Sequence, residues 1–507
     1  MSSRRRAFAG VVAVALGGQL ATLAYEITVA GRFGTRREAD ALALALILTI
    51  AVGNEFTSWV STLLVPNFVE VRSRLGAAAA ARFSRRALAG LAIGAAIVAV
   101  VVAAAAPALV ALLAPGVPDA LGARLLRLFS PLIVLMAVAA LLAAVLQASE
   151  RFVAAGLRQL FWYGAALAAV VVLPQTLGPV AVPLGMVAGL GLFCAVLLAA
   201  GRRAARGPAE EAPLGPWFRR MAVALPPLAL ASAANYVNIA YERSLAARLP
   251  EGSLAALTYA FRLLNFPVTL LVLNATTLLF PPLALHAAER DTAALASLLR
   301  RALRLALVFS APLAALALAL AEPAIRVLLE RGAFTHDSTR LTATALAWYA
   351  PSVIGIAGVQ VLTRAYQALH AIRALVATGL AVIAANLAMM PTFTALLGLR
   401  GLPLSISVSA LALLGLMLLV LQRRLPALQA GALLGWSLRP LAAAAAGGAC
   451  AALVAAHVPE GLPALAAGGA AGLAAYGLGL LAVAPDDARL ALGLVAPALA
   501  RRLSESG

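Results

Sequence analysis

The chain has 507 residues, of which 63% are hydrophobic and 12% charged, and its mean hydropathy is +0.97. Those values exclude a soluble globular domain, in which roughly half of the residues are apolar and about a quarter are charged. The net charge of +19 raises the question of nucleic acid, but the arginines behind it follow a membrane topology rather than forming one basic face, and that partner class is set aside.

A bilayer-spanning helix needs about 20 mostly apolar residues. Fourteen such windows follow one another, near 7–30, 41–68, 87–113, 126–149, 153–173, 179–200, 221–242, 254–285, 303–328, 341–369, 372–397, 401–421, 436–457 and 464–484. The first comes after Arg4, Arg5 and Arg6, as a secretory leader would, but its apolar run is long and more spans follow it. Cys194 and Cys450 lie inside windows, where a thiol acts as a small apolar group, so no disulfide framework is expected. His286, His336, His370 and His457 are scattered and have no metal-ligand spacing. All 39 basic residues are arginine. With the N-terminus in the cytoplasm, 26 fall in tails and loops on that side, 11 on the opposite side, and two, Arg262 and Arg364, inside spans. That is the positive-inside bias, and it predicts that both termini are cytoplasmic.

The chain also repeats itself. AYEITVAGRFG at 24–34 returns as AYERSLAARLP at 240–250, TLLVP at 62–66 as TLLFP at 277–281, RRAL at 85–88 at 300–303, and SPLIVLMAVAALLAAVLQA at 130–148 as APSVIGIAGVQVLTRAYQA at 350–368. Four matches in one order, at offsets of 215 to 220, make an internal repeat of six spans. An even number of spans keeps both copies in one orientation. The halves are then parallel repeats about an axis along the membrane normal, with a substrate site expected between them. The expected organisation is a six-helix lobe over 1–201, a charged cytoplasmic linker over 202–220, a second lobe over 221–425, two more transmembrane helices within 436–484, and a cytoplasmic tail over 485–507.

LLERGAFTHDSTRLTATALAWYA (328–350) with VLTRAYQAL (361–369), ARLPEGSLAALTYAFRLLNFP (247–267), GRFGTRREADALALAL and LLVPNF together resemble the MurJ (MviN) lipid II flippases of the multidrug/oligosaccharidyl-lipid/polysaccharide exporter superfamily. The resemblance covers most of residues 20–425. It implies an all-α membrane protein of two six-helix lobes and two C-terminal helices. It also implies transport rather than catalysis, and a cationic cavity for the diphosphate head group of lipid II, a polyprenyl-linked peptidoglycan precursor. Membrane lipids are implied as partners and cell-wall synthesis proteins are admitted. No cofactor is implied, and the identity of a coupling ion stays open. The chain departs from the family pattern in three places: Tyr25 and Glu26 stand where the first span has an Arg-Asp pair, Val52 and Gly53 where the second has a basic pair, and Ala371 and Leu375 where an Asp and a Pro follow the tenth span.

The candidate head-group residues are Arg262, Asp40, Arg364 and Asn265. Arg262 and Asn265 open a polar stripe with Thr269 and Thr276 at i, i+3, i+7 and i+14, and YAFRLLNFP matches the family segment that bears its head-group arginine. The position equivalent to Arg262 in the first repeat is Ile47, so the repeat itself does not require a charge there. Asp40 matches the family's acidic residue at the start of the second span, although an acid there also suits a helix N-terminus. Gln360, Arg364 and Gln367 share one face of the tenth span, and Asn235, Asn238 and Glu242 one face of the seventh. Polar stripes in a bilayer face a cavity or another helix. Glu26, Glu242, Arg243 and Gln360 are secondary cavity candidates; the two glutamates occupy equivalent AYE positions and have a packing role as their alternative. Arg331 and Asp337 stand beside a helix start, where capping is the simpler reading.

An enzyme of lipid-linked sugar metabolism would need an acid/base pair aimed at a phosphate, and none is legible. A cationic-drug antiporter would want acidic cavity residues. The remaining alternatives are a flippase for another polyprenyl-diphosphate-linked saccharide and a transport-inactive scaffold. The arginine bias makes a topology test direct. In a background lacking Cys194 and Cys450, single cysteines at Ser73 and Ala209 should be shielded from an impermeant thiol reagent in intact cells, and one at Ser338 should react. Labelling at Ala209 from outside would invert the assignment.

Overall fold

A computed structural model describes residues 3–113, 119–147, 157–202, 214–268, 291–369 and 371–489, with the isolated positions 283 and 289. Every regular element among them is helical, as bilayer physics demands of a chain this apolar, because a helix satisfies its own backbone where no water can. Seven described helical segments are long and apolar enough to cross a membrane, and eight if the bent pair His336–Tyr349 and Ser352–Ala368, with 44° between its arms, is one span. Two of the seven, Arg37–Leu113 and Ile372–Arg424, each carry two of the fourteen windows. Windows one and seven lie on helices of 31 and 33 residues, and most of 269–290 in window eight lies outside the described residues.

By packing, the chain forms two compact units, Met1–Ala255 with Arg331–Phe334, and Ala256–Glu330 with Thr335–Gly507. The first contains α1 (Ser3–Phe33), α2 (Arg37–Trp59), a π-helical turn (Val60–Leu64), α3 (Val65–Leu113), α4 (Asp119–Phe129), α5 (Pro131–Gln147), α6 (Arg158–Val172), α7 (Ala181–Arg202) and α8 (Gly215–Ala247). α3 breaks at Gly76, whose φ of 83° suits a residue without Cβ. α8 belongs to the second sequence repeat, yet it packs on α2 and α3 and is tied there by Arg220 and Glu70 at 2.9 Å. Most of the linker, 203–213, lies outside the described residues.

Water cannot drive helices together inside a bilayer, so contact depends on how closely backbones approach. α6 and α7 meet at Gly185 and Gly189; a Cβ on the latter would lie 2.2 Å from the Phe161 carbonyl. Gly53 of α2 likewise backs on to Met136 of α5, where a Cβ would lie 2.4 Å from Sδ. Elsewhere large apolar side chains point outward: Ile93, Val100 and Val101 on α3 are more than half exposed, the pattern of a surface bathed in lipid.

The second unit contains α9 (from Ala256 in the helical run 253–268), α10 (Thr292–Ala319), α11 (Ala321–Leu329), α12 (His336–Tyr349), α13 (Ser352–Ala368), α14 (Ile372–Leu397), α15 (Gly401–Arg424), α16 (Ala430–Ala456) and α17 (Leu462–Val483). Asp291 caps α10 by accepting from the Ala294 N–H at 2.9 Å. α16 and α17, the two helices beyond the repeat, form the tightest pair. Their small-residue runs serve close packing: a Cβ on Gly447 would be 2.8 Å from the Gly472 carbonyl, and one on Gly468 2.8 Å from that of Ala451. The Tyr476 hydroxyl donates to the Val308 carbonyl at 2.6 Å and joins this pair to α10.

A side chain on Gly472 would meet Leu316 at 2.7 Å and Ala451 at 2.8 Å, whereas Gly477 has nothing within 4 Å. Gly472→Val should therefore cost about 1–3 kcal/mol through overpacking and lower the thermal midpoint in detergent, while Gly477→Val leaves it in place. Equal midpoints for the two variants would contradict the packing described here.

Candidate functional site

Within the first unit the polar residues form two groups. The first is at the start of α2. Asp40 is buried, and its two carboxylate oxygens accept the N–H groups of Gly252 at 2.8 Å and Ala255 at 2.7 Å. Those are the capping residue and third residue of the helix that begins at Ser253. A capping box fills those two donors from the helix's own side chains; here one carboxylate from α2 fills both, and its negative charge sits at a helix N-terminus, where it is favoured. Ala255 is also the repeat-equivalent of Asp40, at offset 215. Arg37 and Glu251 add an exposed ion pair at 3.2 Å. The segment Arg331–Phe334 closes the same junction: the Ala333 N–H donates to the Gly31 carbonyl at 2.7 Å. Gly34 and Gly332 hold φ values of 60° and 59°, and a Cβ on either would come within 2.3 Å of a facing carbonyl. The most specific part of the family resemblance, RGAF, is thus a backbone junction. Beyond it, Thr335 caps α12 by accepting from the Ser338 N–H, so neither Arg331 nor Asp337 is the side chain that caps; Ser338 is buried in this cap and Asp337 beside it is exposed, so the outward cysteine of the topology test belongs at Asp337.

The second group comes from the helix interiors. Glu26 is buried on α1, next to Tyr25, whose ring lies 5.2 Å from that of Tyr163. Glu242 and Arg243 are both buried on α8 and approach to 3.7 Å, while the Arg243 Nε and Nη1 atoms have no hydrogen-bond partner. Of the stripe read on this helix, Asn238 is half-buried, and the side chain of Asn235 lies outside the described residues. Sequence reasoning missed Glu55, a carboxylate inside α2 that hydrogen-bonds with the Tyr236 hydroxyl of α8. A lone acid in an apolar window was the available signal.

The positions where the family pattern has cations are occupied by packing. Tyr25 is 1% exposed, and Gly53 is pressed on Met136. An arginine at either position would displace core atoms.

Within the second unit Arg262 and Asn265 are half-buried on α9 between the buried Leu264 and Val268. The Asn265 amide donates back to the Phe261 carbonyl at 2.9 Å. Thr269 and Thr276 lie outside the described residues. On α13 the stripe is present: Gln360 is exposed, and the Arg364 Nη1 donates to Gln367 Oε1 at 3.1 Å. The opposite face is packed, with Gly355 and Gly358 against α15 and the Tyr366 hydroxyl donating to the Met417 carbonyl at 2.8 Å. α13 is therefore a two-faced helix, closed toward α15 and polar on the other side. Among the described residues no three His, Cys, Asp or Glu side chains gather as a metal site.

Comparisons with known proteins agree with this architecture. The family profile "Lipid II flippase MurJ" matches residues 41–464. A probable lipid II flippase MurJ from Rhizobium meliloti is 27% identical over 356 residues, 68% of this chain and 66% of its own length. Among solved structures, the fold is similar to that of a lipid II flippase MurJ in an inward-closed conformation, with a TM-score of 0.77 and 16% identity over 94% of this chain and 99% of the other. It is also similar to an inward-facing multidrug resistance transporter of the MATE family, with a TM-score of 0.68 and 14% identity over 83% and 98%.

The geometry of Asp40 separates a structural role from one in ligand binding. Asp40→Ala should cost about 1–3 kcal/mol for each of the two N–H groups left without an acceptor, and Asp40→Asn, which keeps one acceptor, should cost less. Denaturation midpoints of the purified variants measure this. An alanine variant of unchanged stability would show that the carboxylate is not needed at the junction.

Proposed function

The chain belongs to the lipid II flippase MurJ family, and from that premise we propose that it moves lipid II, the polyprenyl-diphosphate-linked peptidoglycan precursor, from the inner to the outer leaflet of a bacterial cytoplasmic membrane by alternating access, with both termini in the cytoplasm. The observation that carries this reading is the family match over 41–464, which spans both repeats. The work is transport rather than catalysis.

Arg262 is the residue to which we assign the head group. An arginine at the centre of a span costs about 2.5–3.5 kcal/mol on insertion scales, and its repeat-equivalent, Ile47, carries no charge. A guanidinium grips a diphosphate through two parallel hydrogen bonds, a geometry that an ammonium cannot copy. Asn265 lies one turn on, and Arg364 with Gln367 offers a second polar face of the same unit. A second reading, a flippase for another polyprenyl-diphosphate-linked saccharide, is favoured by one observation: core packing fills the family's cation positions at Tyr25 and Gly53. The diphosphate is common to both readings.

The test is rescue of cells depleted of their lipid II flippase. The wild-type gene should restore growth, and Arg262→Ala and Arg262→Lys should both fail to do so with near-normal expression and thermal stability. Full rescue by Arg262→Ala would remove the site assignment. Failure of the wild type, with Arg262-dependent binding of another lipid-linked saccharide, would select the second reading.

A further inference from the structure

The first unit holds a cation that the reading above leaves unused. Arg158 is the first residue of α6, half-buried, and among the described residues it has no ion pair and no hydrogen-bond partner for its side chain. It lines a cavity of about 360 Å³ between α2, the π-helical turn, α5 and α6, a space of roughly ten water volumes. The walls are the small side chains of Ala139, Ala140, Ala143 and Ala144. Thr57, Ser61, Gln147 and Gln159 are its polar lining; the Thr57 and Ser61 hydroxyls donate to the Gly53 and Ser58 carbonyls, which leaves the two glutamine amides as side-chain donors beside the arginine.

We propose that this cavity binds a phosphate-bearing lipid head group, with Arg158 as its charge partner. Three physical arguments converge. A half-buried guanidinium has lost part of its hydration, and an anion offsets that cost; the described protein residues supply none. The first three N–H groups of α6 precede its hydrogen-bond ladder, which opens with Phe161 bonding to Leu157, so the positive end of the helix lies beside the guanidinium. The wall opposite is interrupted: Pro66 follows the π-helical turn and has no N–H to give to the turn before it, so the helical ladder is broken beside Ser61. The site also has a place in the chemistry of this chain. The basic pair expected in the second span is absent at Val52 and Gly53, and Thr57 and Ser61 lie one to two turns further along the same helical run. A cation from α6 faces that run instead. In this chain the first lobe's grip on a head-group phosphate is thus moved toward the end of α2 and supplied by another helix.

The proposal rests on the reading of this protein as a mover of diphosphate-linked lipid, and the experiment separates the two. Full-length protein carrying Arg262→Ala, which removes the site assigned above, is purified. It is titrated with a short-chain polyprenyl diphosphate, with phosphatidylglycerol, with inorganic pyrophosphate and, as a zwitterionic control, with phosphatidylcholine. Adding Arg158→Gln should weaken polyprenyl diphosphate binding by about tenfold or more, the loss of a charge-assisted pair, and leave phosphatidylcholine unchanged. Ala143→Leu, which fills the cavity and spares the charge, should weaken binding to the same ligand. An equal Arg158-dependent loss for phosphatidylglycerol would identify membrane lipid as a source of the head group, and one for pyrophosphate would show that the phosphate alone suffices; both support the site. Without ligand, Arg158→Gln should melt at or above the parent temperature, because it removes a cation that has no ion pair among the described residues. Affinities within twofold for all ligands, or a large loss of stability without ligand, would overturn the proposal. Neither result bears on the rescue experiment, which reads Arg262.

Discussion

One carboxylate holds the junction on which the first unit is built. Asp40 lies in the first turn of α2 and accepts the Gly252 and Ala255 N–H groups at the start of the next repeat's second helix, so a single buried charge sits between two helix N-termini. Each of those ends carries N–H groups that its own helix cannot satisfy, and in this place there is little water to do it. A carboxylate meets both needs at once, and two macrodipoles favour its charge. The glycine turns at Gly34, Gly252 and Gly332 follow from the same crowding, since each brings a backbone carbonyl closer than a Cβ would allow. The repeat is symmetric in its spans but not here: the position that is aspartate in one half is alanine in the other, and the first supplies what the second lacks.

With the junction fixed by an acid, the cations are free to serve elsewhere, and their positions divide by cost. Most of the 39 arginines stand outside the apolar windows, where water and lipid phosphates solvate them. Those packed against neighbouring helices need partners. Arg220 has Glu70, Arg326 has Glu322 and Glu330, and Arg364 has Gln367. Arg158 has no such partner among the described residues, and Arg243 keeps two nitrogens unsatisfied beside Glu242. In a medium that penalises an uncompensated charge, such groups are the ones a ligand can stabilise, and they lie in a lobe whose expected cation sites have been filled by Tyr25 and by the Gly53 contact with Met136.

The lipid-facing surfaces and the helix contacts share one physical origin. Because the surrounding solvent is as apolar as the core, burying large side chains gains little, and large apolar residues are found outside while glycine and alanine are found at contacts. α16 and α17 show this most clearly, with Gly447, Gly468 and Gly472 at their seam and Leu438, Leu453 and Leu478 outward. That pair is fastened to α10 by a tyrosine hydroxyl, as a bilayer makes a hydrogen bond to a backbone carbonyl hard to exchange for water.

Class, repeat and polar stripes were legible in the sequence because they are local. Hydropathy over about 20 residues reveals a span, a constant offset reveals a repeat, and helical spacing puts Gln360, Arg364 and Gln367 on one face whatever lies opposite. The destination of Asp40 was not legible, since its partners lie 212 and 215 residues away and a backbone N–H has no sequence signature. RGAF could be recognised but not explained, for its work is done by a glycine at φ 59° against Gly31. The Glu55 contact with Tyr236, the packing of α8 with the first unit and the cavity beside Arg158 were decided by tertiary structure alone. Each depends on which helices become neighbours, and in a bilayer that is settled by shape and hydrogen bonding between distant segments, about which an apolar window says nothing.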